Sequence, residues 1–389
     1  TLQESGAVGR CGDVEVTVGP DGSIRQFKNR FWPQGIVADS PLLQFEVTEK
    51  GEKVALELAS IEIAPWHDLL ITLRHPNGDD LSVGICLNEG FDGMHVFVSS
   101  LLTNRPDPGM QTGLMMIVHS ALQGLRVVAD QPLGQQEIKA EGTYRKKYPT
   151  GDWMTSPQWF EEVEHPFTGS SFVDLQSADG DRGMLVTYDR TRQWFRDGDS
   201  VKCLLNMYDP WDEDYFEEIT SSWFHFVPHG GMTNDQRYRL ALEMNRGCEC
   251  TIVGESKRDI PARMSGPSTD QENVAVIAFY REMESAGREV SPFAGEGMGY
   301  PYVLRLLELN GEETEAVVSV PGTVAKAVRS NLLGEPEGHA SVEEGGIRLA
   351  LKPFEIATVY LDIEEGRKQV RDLDAHRNIW AQVHREGEA

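Results

Sequence analysis

No stretch of this sequence comes near the ~18–20 uninterrupted apolar residues that a membrane-spanning helix requires. The longest apolar runs, such as Gly113 to Val118, are strand-sized, so a soluble protein is expected. Basic residues are in short supply: 36 Lys and Arg stand against 62 Asp and Glu, a formal charge of −26 over 389 residues. A surface of that sign repels phosphate backbones, so neither nucleic acid nor an anionic membrane is an expected partner. Cysteine is scarce, odd in number and scattered, at Cys11, Cys86, Cys203, Cys248 and Cys250. That spacing is no disulfide framework, and it points to reduced thiols and a cytoplasmic location. Cys248-Glu249-Cys250 has no second Cys or His pair at finger spacing, and reads as alternating strand residues. The start, Thr1-Leu2-Gln3-Glu4, carries neither an initiator methionine nor a secretory leader, which suggests a piece of a longer chain.

The sequence also lacks the common phosphate and nucleophile motifs. There is no G-x-x-x-x-G-K-[ST], no G-x-S-x-G, no H-E-x-x-H, and no G-x-G-x-x-G joining a strand to a helix. Gly295-Glu296-Gly297-Met298-Gly299 reads as a turn.

Period-two alternation broken by turn dipeptides is abundant, the mark of an antiparallel β protein. Val14, Val16 and Val18 share one face, Gly19-Pro20-Asp21-Gly22 reverses the chain, and Ile24 and Phe27 resume the pattern. Further strands are expected at intervals of roughly ten residues to Ala129, with turns at Asn77-Gly78 and Asp92-Gly93. Between Gly134 and Gly169 the composition turns aromatic, charged and proline-punctuated, which reads as a long ordered loop or hairpin excursion. Strands are expected again at Phe172 to Leu175, Gly183 to Tyr188, Val201 to Met207, Phe224 to Val227 and Tyr238 to Met244. Residues 1–256 thus form a large β-sandwich. Residues 257–273, with their prolines and serines, read as a linker, and about six strands over 274–363 suit a smaller sandwich. From residue 364 to 389 the spacing of Val370, Leu373, Trp380 and Val383 predicts a helical tail.

Candidate chemistry is sparse. The cluster Asp209-Pro210-Trp211-Asp212-Glu213-Asp214-Tyr215-Phe216-Glu217-Glu218 suits either a solvated loop or a calcium site, though it lacks the EF-hand glycine. Trp211 and Tyr215 within it suit packing or stacking on a sugar face. His225 and His229 lie four apart with Pro228 between, which rules out a helical metal pair.

Several stretches together resemble the C-terminal β region of glycoside hydrolase family 38, the retaining α-mannosidases. Val14-Glu15-Val16 with Pro20-Asp21-Gly22-Ser23-Ile24 resembles the opening strand-turn-strand. Asp130-Gln131-Pro132-Leu133-Gly134, His165-Pro166-Phe167 and Phe172-Val173-Asp174-Leu175 follow the family's D-x-P-[FL]-G, H-P-F and [WF]-V-D-L order. Leu304-Arg305-Leu306-Leu307-Glu308-Leu309-Asn310-Gly311 and Leu351-Lys352-Pro353-Phe354-Glu355-Ile356-Ala357-Thr358 resemble its L-R-L-Y-E-x-N-G and L-x-P-F-E-I-x-T segments.

The resemblance implies an all-β fold: a large antiparallel supersandwich of the galactose-mutarotase-like type, a smaller β-sandwich and a C-terminal helix. It places family catalysis in an N-terminal (β/α) barrel holding zinc and an aspartate nucleophile, with an H-x-D motif that this sequence lacks, since Asp68 directly follows His67. The chain would then be the non-catalytic β portion, with no cofactor or catalytic residue of its own. Its partners would be the barrel, in cis or in trans, and an α-mannoside, and homo-oligomers are compatible with it. Zinc belongs to the barrel of the parent enzyme. Tyr148, before Pro149 in a long loop, would contact substrate, and Trp153, His165 and Arg305 are the other candidate sugar-binding residues. Alternatives are a stand-alone carbohydrate-binding module, or a sugar epimerase or lyase on the same architecture.

Overall fold

The computed structural model describes residues 2–3, 6–37, 40–49, 52–100, 113–122, 124–132, 134–138, 165–207, 220–245, 266–281, 301–344 and 346–363. The chain divides into two compact units, Thr1–Cys248 and Glu249–Ala389. Each is built from antiparallel sheets, as the sequence pattern predicts.

In the first unit one sheet has eleven strands. Its main path runs through Leu2–Gln3, Gly6–Cys11, Val14–Val18, Ile24–Lys28, Leu43–Glu49, Gly113–His119, Ser200–Met207, Arg192–Asp197 and His165–Gly169. The other has nine, in the order Gly134–Ile138, Arg126–Gln131, Phe172–Gln176, Gly183–Tyr188, Thr220–His229, Met94–Ser100, Asp80–Cys86, His67–Arg74 and Glu57–Ala64. Alternation drives the assembly: Val14, Val16 and Val18 of one sheet and Leu69, Ile71, Val96 and Phe224 of the other enter one shared core. Burying each such side chain contributes about 1.5–3 kcal/mol. Tyr188 and Trp194 meet across that core with ring centroids 5.5 Å apart.

The first hairpin forms as read. Val14–Val18 pairs with Ile24–Lys28, and the Asp21 carboxylate accepts from the backbone N–H and hydroxyl of Ser23. Two expectations need correction. Residues 238–244 are not a strand but lie in the helix Asn234–Asn245. The cause is a cap: the Gln236 side chain accepts from Thr233 N–H, and Arg237 N–H closes the first turn on the Thr233 carbonyl. Thr233-Asn234-Asp235-Gln236 thus has the sequence of a capping box and forms its Gln236 half, a local bond that favours the helix over the alternating pattern. Second, the described ends of the 134–169 excursion are strands, Gly134–Ile138 and His165–Gly169, each completing a sheet edge. Arg192–Asp197, which the sequence reading passes over, is also a strand. Its buried Arg196 donates to the carbonyls of Leu125 and Ile138.

The second unit pairs a four-stranded sheet (Ser268–Thr269, Thr314–Ser319, Gly346–Leu351, Ser341–Glu343) with a five-stranded one (Val274–Arg281, Tyr302–Glu308, Ile356–Ile363, Val324–Ser330, Pro336–His339). Val318, Ile347 and Leu349 pack against Leu304, Leu306, Val359 and Leu361. Ser268–Thr269, in the stretch read as linker, pairs with Thr314–Ser319. The helical tail at 364–389 lies outside the described residues.

Glu308, the acid of the L-R-L-L-E-L-N-G segment, is fully buried in this unit. Its Oε1 accepts from Asn310 N–H and Asn273 Nδ2, and its Oε2 from the N–H groups of Gly311, Glu312 and Phe354. Burial opposes the charge, yet this ring of backbone donors outweighs it and holds the carboxyl below its ordinary range. Gly311 sits at φ +76° with the Phe354 ring 2.6 Å from where a Cβ would stand, so no other residue fits there.

Candidate functional site

At one margin of the nine-stranded sheet three distant chain segments meet around a cavity of about 410 Å³. They are the turn after Ile24–Lys28, the loop before Met94–Ser100, and the end of Thr220–His229 with the first turns of the helix. Phe31, Phe91, Met232 and Leu240 line it with apolar surface, and Arg30 and Asp92 line it with charge.

The segments are tied by one side chain. Asn29 is 2% exposed. Its Oδ1 accepts from Phe31 and Trp32 N–H at 3.0 and 2.9 Å. Its Nδ2 donates to the carbonyls of Asp92 and Pro228 at 2.7 and 3.0 Å. Every hydrogen-bonding position of the amide is used, which fixes the walls relative to one another. Arg30 pairs with Asp92 at 2.6 Å and lies over the Phe31 ring, 4.7 Å from its centroid.

Beneath the cavity lies a buried ionic network. Asp174, from the F-V-D-L strand, is 0% exposed. It receives the His229 Nε2 at 2.9 Å, the Arg237 Nε at 2.6 Å and the Gln176 amide at 2.7 Å. Gly231 N–H donates to His229 Nδ1, so that nitrogen is the acceptor and the proton given to Asp174 sits on Nε2. Burial raises the cost of the Asp174 charge, but His229 and Arg237 outweigh it and keep the carboxyl below its usual range. Gly183, opposite His229, leaves room for the ring: a Cβ there would stand 2.5 Å from it. Trp32 Nε1 also donates to the His229 carbonyl. These bonds position the cavity floor; Asp174 itself is consumed by them and has no reach into the cavity.

Beside the cavity the outer face of the same sheet carries a run of rings. His95 stacks on Phe91 at 4.5 Å and meets His225 edge-on, with the two Nδ1 atoms 2.6 Å apart. Burial lowers the pKa of both, that of His225 to about 4 with the His95 charge as a second cause. Phe97 joins His67, stacked at 6.0 Å, to Trp223 at 4.8 Å. Trp66, next to His67, is 86% exposed.

The residues singled out by sequence are scattered. Tyr148 and Trp153 lie outside the described residues, as do Asp209–Glu218 and Cys248–Cys250. His165 opens the edge strand His165–Gly169, opposite Arg196. Arg305 belongs to the second unit, between Ala278 and Thr358 in register, and its buried Nε has no hydrogen-bond partner among the described residues. His225 and His229, close in sequence, serve two separate clusters. Sequence reasoning missed Asn29, Arg30, Phe31, Phe91 and Asp92. Only Asp92-Gly93 carried a signal, and it was that of a turn. Among the described residues no group of three or more His, Cys, Asp or Glu is placed to hold a metal ion, and no helix is long and apolar enough to cross a membrane.

Two units built from antiparallel β-sheets define the class of this protein, an all-β chain of two sandwich-like units. Residues 299–359 match the family described as "Glycosyl hydrolases family 38 C-terminal beta sandwich domain". Two solved structures share the fold over most of the chain. An α-mannosidase from Enterococcus faecalis V583 aligns with TM-score 0.63 and 12% identity, over 91% of this chain and 42% of that one. A glycosyl hydrolase family 38 protein from Enterococcus faecalis aligns with TM-score 0.62 and 11% identity, over 91% and 44%. The chain therefore spans less than half the length of either structure, and at such identities the likeness is one of fold. No curated protein sequence matches the chain. The resemblance read from motifs is borne out at family level over residues 299–359 and as a shared fold over most of the chain.

Proposed function

We propose that this chain is the non-catalytic β portion of an α-mannosidase-like glycoside hydrolase, packing on a catalytic barrel in cis or in trans and helping to wall its carbohydrate site. The observation that carries this is coverage: 91% of the chain lies over less than half of an α-mannosidase, and its second unit contains the family's C-terminal sandwich match. The motif acids support it. Asp174 and Glu308 spend their oxygens on scaffold bonds, leaving neither for acid–base work on a glycosidic bond.

The parent enzyme would cleave α-mannosides with retention, using zinc bound in the barrel, and this chain would supply no metal ligand. Tyr148, Trp153, His165 and Arg305 are proposed to face the sugar in that assembly. The row from Trp66 through His67 and Phe97 to Trp223 suits a docking face for the barrel, because it offers exposed aromatic surface. The coding sequence upstream of Thr1 tests the proposal. An H-x-D barrel several hundred residues earlier, or in a chain that co-purifies, is expected; its absence from both would overturn it.

A further inference from the structure

The geometry points to the cavity beside Asn29 as a binding site for a single neutral pyranose ring. A preformed cavity that is mostly apolar with a few convergent polar groups is what a small ligand needs. This one is preformed for a stated reason: Asn29 locks its three walls together, and the Asp174–His229–Arg237 network holds its floor.

The lining selects the ligand. Phe31 and Phe91 present ring surface that can pack on the C–H face of a sugar. Arg30 and Asp92 stand at the rim as a donor and an acceptor 2.6 Å apart. Vicinal hydroxyls, each able to donate and accept, match such a pair with both partners satisfied. An anion would meet the Asp92 carboxylate in a protein already at −26. A pure hydrocarbon would desolvate the rim pair without replacing its water. At about 410 Å³ the cavity lies at the small end of the range for ligand pockets, which favours one ring over a long glycan. The choice of a pyranoside rests on the glycosidase reading above; the cavity's rigidity and polarity do not.

The test is titration of the full chain with methyl α-mannopyranoside and methyl α-glucopyranoside, followed by saturation-transfer NMR and calorimetry. Binding is expected, with transfer strongest at the ring C–H protons. Phe31→Ala should weaken it about tenfold, the equivalent of one lost aromatic contact. Asp92→Asn should weaken it too. Both variants should fold, since Phe31 is 43% exposed and Asn29 holds the Asp92 carbonyl, not its side chain; unchanged melting curves verify this. Leu333→Ala, at an exposed position of the second unit, should leave binding intact. No binding of either sugar, or binding that ignores Phe31 and Asp92, overturns the inference. If the cavity fails while an H-x-D barrel is found upstream, only this site is lost. If the cavity binds while no such barrel exists, the site stands and the mannosidase reading falls.

Discussion

Each unit buries one carboxylate completely, and the two are held in opposite ways. Glu308 in the second unit is neutralised by backbone: four N–H groups from two turns converge on it. Asp174 in the first unit is held by side chains, the His229 N–H and the Arg237 guanidinium, that lie 55 and 63 residues away in sequence. The N–H groups of Asn310, Gly311 and Glu312 wrap Glu308 in its own turn, while Phe354 N–H and the Asn273 amide, 46 and 35 residues away, tie that turn to two other segments. The side chains around Asp174 tie a strand to a helix and to the end of another strand, and the cavity rests on that tie.

The comparison is broken or sharpened by substitution, starting with the deepest charge. Asp174→Asn should cost about 3–5 kcal/mol of unfolding free energy in urea melts, because it leaves the Arg237 guanidinium buried without its counter-charge. Glu308→Gln should cost about 2–3 kcal/mol, because its NH₂ must point at N–H donors while the charge-assisted bonds to the rest are lost. If Glu308→Gln costs more than Asp174→Asn, the contrast between backbone and side-chain support is wrong.

A pH effect comes next in size. His225 keeps its proton off until about pH 4, whereas the unfolded chain takes one up near 6.5. Stability should thus be full above pH 6.5, fall as the pH drops towards 4, and level off below. His225→Gln should flatten that slope in melts taken across the window. Asp174, with its depressed value, adds its own loss only below the ordinary carboxylate range near ~3.9. Smallest is Arg74→Ala, which removes an exposed pair with Asp80. It should leave the melting temperature unchanged within error, since solvent screens such pairs.

Strands were legible where alternation is strict. Val14–Val18 follows from period two, Gly183–Tyr188 and Tyr302–Glu308 from short, largely apolar runs that are buried on both faces, and the turn at Pro20-Asp21-Gly22 from its residue types. Arg192–Asp197 was not legible because its buried Arg196 satisfies itself on the distant carbonyls of Leu125 and Ile138, and its buried Arg192 on the Ser222 hydroxyl, bonds no local pattern announces. Thr233-Asn234-Asp235-Gln236 did announce its helix, but the alternation after it gave the stronger and misleading signal. The motif acids Asp174 and Glu308 were visible as family-like residues, and the structure shows why the motifs exist: they hold architecture. The cavity was invisible because Asn29, Phe31, Phe91 and Asp92 come from segments more than 50 residues apart, joined only by folding.

The most direct test of the central claim is turnover of an aryl α-mannoside, with zinc present, by this chain alone and by the chain together with its barrel. No turnover by the chain alone and hydrolysis with retention once the barrel is present is the predicted result. Hydrolysis by the chain alone, abolished by substitutions within it, would contradict the claim.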